Sequence, residues 1–139
     1  MQKIVIDTNV IVSSLIQRNY PYLIINDLFF EDRFQLCVSE ELLDEYYEVL
    51  NRPKFSKFQD FFIKGESLLA DIVTKSIKFK PTTKLDLISD KDDNMILELA
   101  EECKADFIIT GNSSDFTFSN YKETKIVTPK EYWEFYKPD

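Results

Sequence analysis

The 139-residue chain contains no histidine. That absence excludes imidazole as a general base, the Ser–His–Asp triad and any zinc site with a histidine ligand. Cys37 and Cys103 are the only cysteines, too few for a four-cysteine zinc site or a disulfide framework. Both lie in segments patterned as buried, so core packing is their expected role. The only glycines, Gly65 and Gly111, cannot write GxGxxG or GxxxxGK[ST], which removes both glycine-rich phosphate loops. No apolar run approaches the roughly 20 residues of a membrane span, and no basic segment leads into a signal-type apolar stretch. A cytoplasmic protein is expected. Hydrolysis by such a chain would have to rely on carboxylates and a metal ion.

What remains is 44% apolar and 30% charged, the composition of a folded domain, and the length suits one domain over residues 1–139. The formal charge of −8 counts against a nucleic-acid partner, since phosphate binding normally uses positive surface. Metal-binding carboxylates inflate that count, however, and a bound divalent cation reverses the local sign. Arg52, Lys54, Lys57 and Lys64 also cluster within NRPKFSKFQDFFIK, among several phenylalanines. They read either as RNA-contacting residues or as the solvated flank of a helix over core aromatics.

Apolar runs alternate with helical periodicity along the chain. Lys3 to Ile6 reads as a buried strand, followed by a helical stretch to about Ile16. Arg18 to Pro21 forms a turn, and Tyr22 to Phe30 a helix with Pro21 at its start. Phe34 to Val38 is a second strand. Ser39 reads as the N-cap of a helix with Leu42, Leu43, Tyr46, Val49 and Leu50 at helical spacing, ending at Pro53. Phe58 to Lys75 is a helix and Ser76 to Phe79 a weaker strand. Asp92 or Asp93 opens a helix bearing Met95, Ile96, Leu99, Ala100 and Cys103 on one face. Phe107 to Ile109 is a strand, residues 111–115 a loop, Lys125 to Val127 a last strand, and Pro129 starts a helix ending near Tyr136. Strands separated by helices predict an α/β fold with a central parallel sheet of four to five strands, covered on both faces. Sites in such sheets form outside the carboxyl ends of the strands.

Acids gather at that edge. Asp7 ends the first strand, where its ordinary role would be to cap the next helix. Among the acids of SEELLDEYYEVLNRP, Asp44 and Glu48 lie opposite the apolar stripe. Glu45 flanks it at roughly 100° and is best placed to lean over the sheet edge, with Glu41 next. In SDKDDNMILELA, Asp90, Asp92 and Asp93 precede or open a helix, where the dipole favours acids. Asp93 is placed to face inward, and Asp90 and Asp92 outward. IITGNSSDF puts Asn112 and Asp115 in the loop after a buried strand. Each acid alone has a capping or loop explanation. Together they would repel one another and raise each other's pKa unless a hard divalent cation such as Mg²⁺ or Mn²⁺ held them. Such a cation lowers the pKa of bound water and stabilises phosphoryl charge, which is hydrolysis without histidine.

The order IDTNV, SEELLDEYYEVLNRPKF, DDNMILELA and ITGNSSDF resembles the PIN domain, in the branch described as toxin components of type II toxin–antitoxin systems. The resemblance spans nearly the whole chain. It implies a three-layer α/β/α sandwich and a metal-dependent ribonuclease using Mg²⁺ or Mn²⁺. It assigns the catalytic and metal-binding acids to Asp7, Glu45, Asp93 and Asp115. Thr8, Asn9 and Thr110 match supporting positions, and Asn112 stands where many relatives have Asp. Implied partners are an RNA substrate, a cognate antitoxin protein and, as is common in relatives, a second copy of the chain.

Three functions follow for comparison. The first is an endoribonuclease acting on single-stranded or loop RNA, with Arg52, Lys54 and Lys57 as RNA-binding candidates. The second is a PIN-like protein-binding module with weak or no catalysis, for which the charge of −8 suits a basic partner. The third, a receiver or phosphatase of the doubly wound class, wants a second Asp at position 9 or a Lys after a later strand. Asn9 and the segment FIITGN supply neither.

Overall fold

The computed structural model describes residues 1–88, 91–111 and 119–139. Six strands form one sheet in the order β3-β2-β1-β4-β6-β5. They are β1 (Lys3–Ile6), β2 (Gln35–Val38), β3 (Ile77–Lys78), β4 (Phe107–Ile109), β5 (Asn120–Tyr121) and β6 (Thr124–Val127). All neighbouring pairs run parallel except β5 with β6. In β1, Ile4, Val5 and Ile6 are all fully buried, as expected of a central parallel strand covered on both faces.

The helices are α1 (Thr8–Ile16), α2 (Tyr20–Leu23), α3 (Glu40–Leu50), α4 (Phe61–Lys75), α5 (Lys91–Cys103) and α6 (Pro129–Glu131). Helix α2 runs on through wider π-type turns at Ile24–Phe29, and α6 does the same at Tyr132–Tyr136. Helices α1, α3 and α4 pack on one another, and α5 lies against β1, β2 and β4. Right-handed crossovers put α5 on the face opposite α1 to α4, because the chain reverses direction across the sheet after β3. The result is the expected three-layer α/β/α arrangement.

The expected strands and helices are present, with four main differences, the first being that the helix expected from Tyr22 begins at Tyr20, with Pro21 inside its first turn. The sheet has six strands rather than four or five, because Asn120–Tyr121 folds back antiparallel on β6 through a turn in which Lys122 is left-handed (φ 52°). Helix α4 begins at Phe61, not Phe58. Pro53 opens a 3-10 turn over Pro53–Lys57, and Asp60 is left-handed (φ 59°), so helix geometry cannot propagate back through it. The rings of Phe55 and Phe61 stack across this corner at 4.7 Å. Helix α5 begins one residue earlier than expected, at Lys91.

Residues 82–88 run antiparallel to α5 as a strap. Glu102 accepts hydrogen bonds from the Thr82 N–H and hydroxyl (both 3.1 Å), and Glu98 accepts from the Leu85 N–H (2.8 Å). The Asn94 carboxamide accepts from the N–H groups of Leu87 and Ile88 (both 3.0 Å) and donates to the Ile88 carbonyl. Three helix positions spaced by four residues thus satisfy an otherwise irregular backbone.

Candidate active site

Strand β1 is where the chain order switches: β2 and β3 lie to one side, β4 and β6 to the other. The crevice at the carboxyl end of such a switch point is where ligands bind in open α/β sheets. Asp7 stands there. Its N–H donates to the Ile109 carbonyl (2.9 Å), which extends the β1–β4 ladder, and its carboxylate accepts from the Thr110 hydroxyl (2.8 Å). Thr110 is fully buried, so that donor is fixed in place. Asp7 occupies the N-cap position of α1 without making a side-chain cap bond, so capping does not account for it. Beside it, Asn9 accepts from the Gly111 N–H (3.4 Å), tying the start of α1 to the segment after β4.

Glu45 arrives from α3. Ser39 accepts from the Leu42 N–H (3.1 Å) and starts this helix immediately after β2, while Leu42, Tyr46 and Leu50 bury its inner face. Glu45 therefore flanks the apolar stripe, half-buried at the sheet edge, where its carboxylate accepts from the Thr8 hydroxyl. Its pKa is pushed up to about 7. Burial is the main cause, the Thr8 bond opposes it, and a hydrogen bond with Asp92 and the charges of Asp92 and Asp7 add to it. Glu45 thus feels carboxyls carried by two other segments of the chain.

Asp93 is buried, as its predicted inward orientation requires, and Asp92 is exposed. Exposure does not turn Asp92 away from the site, however: it is Asp92 that meets Glu45, because the first turn of α5 abuts α3. A helical wheel shows which side of α5 is wet but not what stands across from it, and no sequence signal would have selected Asp92. Asp90, Asn112 and Asp115 lie outside the described residues. Among the described residues, no three acids form a group that could hold a metal ion by themselves. The chemistry of the donors nevertheless fits one. They are hard carboxylate oxygens, partly desolvated and mutually repelling, an arrangement that a divalent cation would neutralise.

Of the basic candidates, Arg52 lies within reach of the charges at this edge. The Arg52 guanidinium is forked onto Glu48 (3.2 and 2.9 Å), which raises its pKa, and the charges of Glu45 and Asp92 raise it further. Lys54 and Lys57 hold their ammonium groups 5.2 and 5.4 Å from the ring centroids of Phe55 and Phe58. The expected solvated flank over core aromatics is present, since Phe55 and Phe58 pack partly into the core while the cations stay exposed. Among the described residues, no helix is long and apolar enough to cross a membrane.

Comparison with known proteins agrees with this geometry. The uncharacterized protein MJ1680 of Methanocaldococcus jannaschii is 32% identical over 140 aligned positions, covering 95% of this chain and 90% of that protein. A family model described as PIN domain matches residues 3–114, from β1 through the segment after β4. The sheet order, the acids at its switch point and this match together place the chain in the PIN domain family, which has a nuclease-type fold.

Proposed function

We propose that the chain is a Mg²⁺- or Mn²⁺-dependent endoribonuclease and the toxin of a toxin–antitoxin pair, acting on single-stranded or loop RNA in the cytoplasm. The observation that carries this reading is the convergence of Asp7, Glu45 and Asp92 at the switch point, with Glu45 left only half-solvated beside two other acids. Asp7, Glu45 and the first-turn acids Asp92 and Asp93 would hold the cation, together with Asp115. When bound, it supplies a lowered pKa for water and charge stabilisation at the phosphoryl group.

The protein's own groups have separate tasks. Thr110 and Thr8 each donate a hydroxyl hydrogen bond to one carboxylate, which orients Asp7 and Glu45, and the Thr8 bond opposes the burial that raises the Glu45 pKa. Arg52 would offer a guanidinium to a backbone phosphate beside the acids, and the exposed Lys54 and Lys57 that follow it in sequence would add positive charge for the RNA. A cation held by the acids, with Arg52 beside them, answers the objection raised by the net charge of −8.

The test is cleavage of a mixed RNA pool with and without Mn²⁺, comparing the native chain with Asp7→Asn. Cation-dependent cleavage lost in the variant supports the assignment; cleavage at full rate in the variant sinks it. Absence of Mn²⁺ uptake at millimolar concentration would favour the protein-binding module instead.

A further inference from the structure

Tyr46 is fully buried, and its hydroxyl donates to the carbonyl oxygen of Ile6. Ile6 is the last residue of β1, immediately before Asp7, and Tyr46 immediately follows Glu45. One hydrogen bond, from the side chain next to Glu45 to the backbone next to Asp7, therefore ties together the two segments that carry the first two acids of the site. Apolar contacts between a helix and a sheet edge are non-directional and tolerate small slides, whereas a buried hydrogen bond loses most of its value with an ångström of displacement. The Tyr46 ring fills core space as a phenylalanine would. The hydroxyl adds distance control.

We propose that Tyr46 is a positioning residue: its hydroxyl, fastened to the end of β1, sets the separation of the Asp7 and Glu45 carboxylates and so the affinity of the centre for its divalent cation. This inference rests on the proposal that those two acids hold a cation. Burial, and then the nearby charges of Asp7 and Glu45, push the phenol pKa well above its ordinary value, so it remains a proton donor at every working pH.

A second buried tyrosine provides the control. Tyr132 donates its hydroxyl to Gln2 (2.6 Å), just before β1 and so at the other end of the sheet from the acids. Tyr46→Phe and Tyr132→Phe each delete one buried hydroxyl and keep the whole ring, so both variants retain their apolar packing. The full chain and both variants are titrated calorimetrically with Mn²⁺, and their melting temperatures are compared in chelator.

The expected result is a Mn²⁺ dissociation constant raised about tenfold in Tyr46→Phe and within about twofold of native in Tyr132→Phe, with similar losses of melting temperature. The Mn²⁺ concentration needed for half-maximal RNA cleavage should rise in parallel, with the rate restored at saturation. Native Mn²⁺ affinity in Tyr46→Phe, or equal weakening in both variants, overturns the positioning role alone. A native chain that takes up no Mn²⁺ overturns the metal-centre reading and this inference with it.

Discussion

The carboxyl groups of Glu45 and Asp92 share a hydrogen bond across the gap between α3 and α5, although one lies at mid-helix and the other in a helix's first turn. Burial of Glu45, together with that bond and the charges of Asp92 and Asp7, gives the Glu45 carboxyl a preference for its proton that a cation would replace.

That preference has a sign. The Glu45 pKa stands at about 7 in the folded chain against an ordinary 4.5, so between those values the folded state binds more protons than the unfolded one. Stability then falls as pH rises through that window. In chelator, the native chain should melt at a higher temperature at pH 5.5 than at pH 7.5, and Glu45→Gln should flatten the difference. A native profile that rises towards pH 7.5 would contradict the arrangement.

Asp92→Asn separates the neighbouring acids of α5. Removing the charge opposite Glu45 should raise the melting temperature of the chelated protein at pH 7.5 while weakening Mn²⁺ uptake about tenfold. Asp93→Asn, which alters a buried group, should weaken uptake without the gain in the chelated state. Calorimetric titration and thermal melts on the two variants decide between them.

Arg52 faces the acids from the solvent side, and its contribution should appear in binding rather than turnover. Arg52→Ala is expected to weaken single-stranded RNA binding several-fold. It should also reduce the slope of log affinity against log salt by about 0.7, the signature of one lost phosphate contact. Fluorescence anisotropy across a salt series measures both.

The strap over α5 depends most on Asn94, whose carboxamide serves three backbone groups. Asn94→Ala leaves the buried N–H and carbonyl of Ile88 unpaired and should cost about 1–3 kcal/mol in urea denaturation. Amide exchange should accelerate at Leu87 and Ile88 more than at Ile4 in the sheet centre.

Periodicity was enough for β1, α1, β2, α3 and β4, because each buries a strongly apolar face and each is bounded by a polar or proline residue. It was not enough for β5, a two-residue ladder without a glycine turn, nor for the strap, whose polar partners lie up to 20 residues away. Of the site, the positions of Asp7 and Glu45 at the sheet edge were legible from strand ends and helix phase. The meeting of Glu45 with Asp92 and the fastening of Tyr46 to Ile6 depend on how α3 meets β1 and α5, which one-dimensional patterns do not encode.

Strand β1 occupies the middle of the sheet, but the groups that hold Asp7, the Thr110 hydroxyl and the Ile109 carbonyl, are supplied by the last third of the chain. On the ribosome, the opening strand must wait with one edge bare until those residues emerge, the delay typical of long-range parallel pairing. The acidic edge is therefore completed only after β4 has emerged, and a nascent chain stopped short of β4 carries Asp7, Glu45 and Asp92 without the scaffold that gathers them.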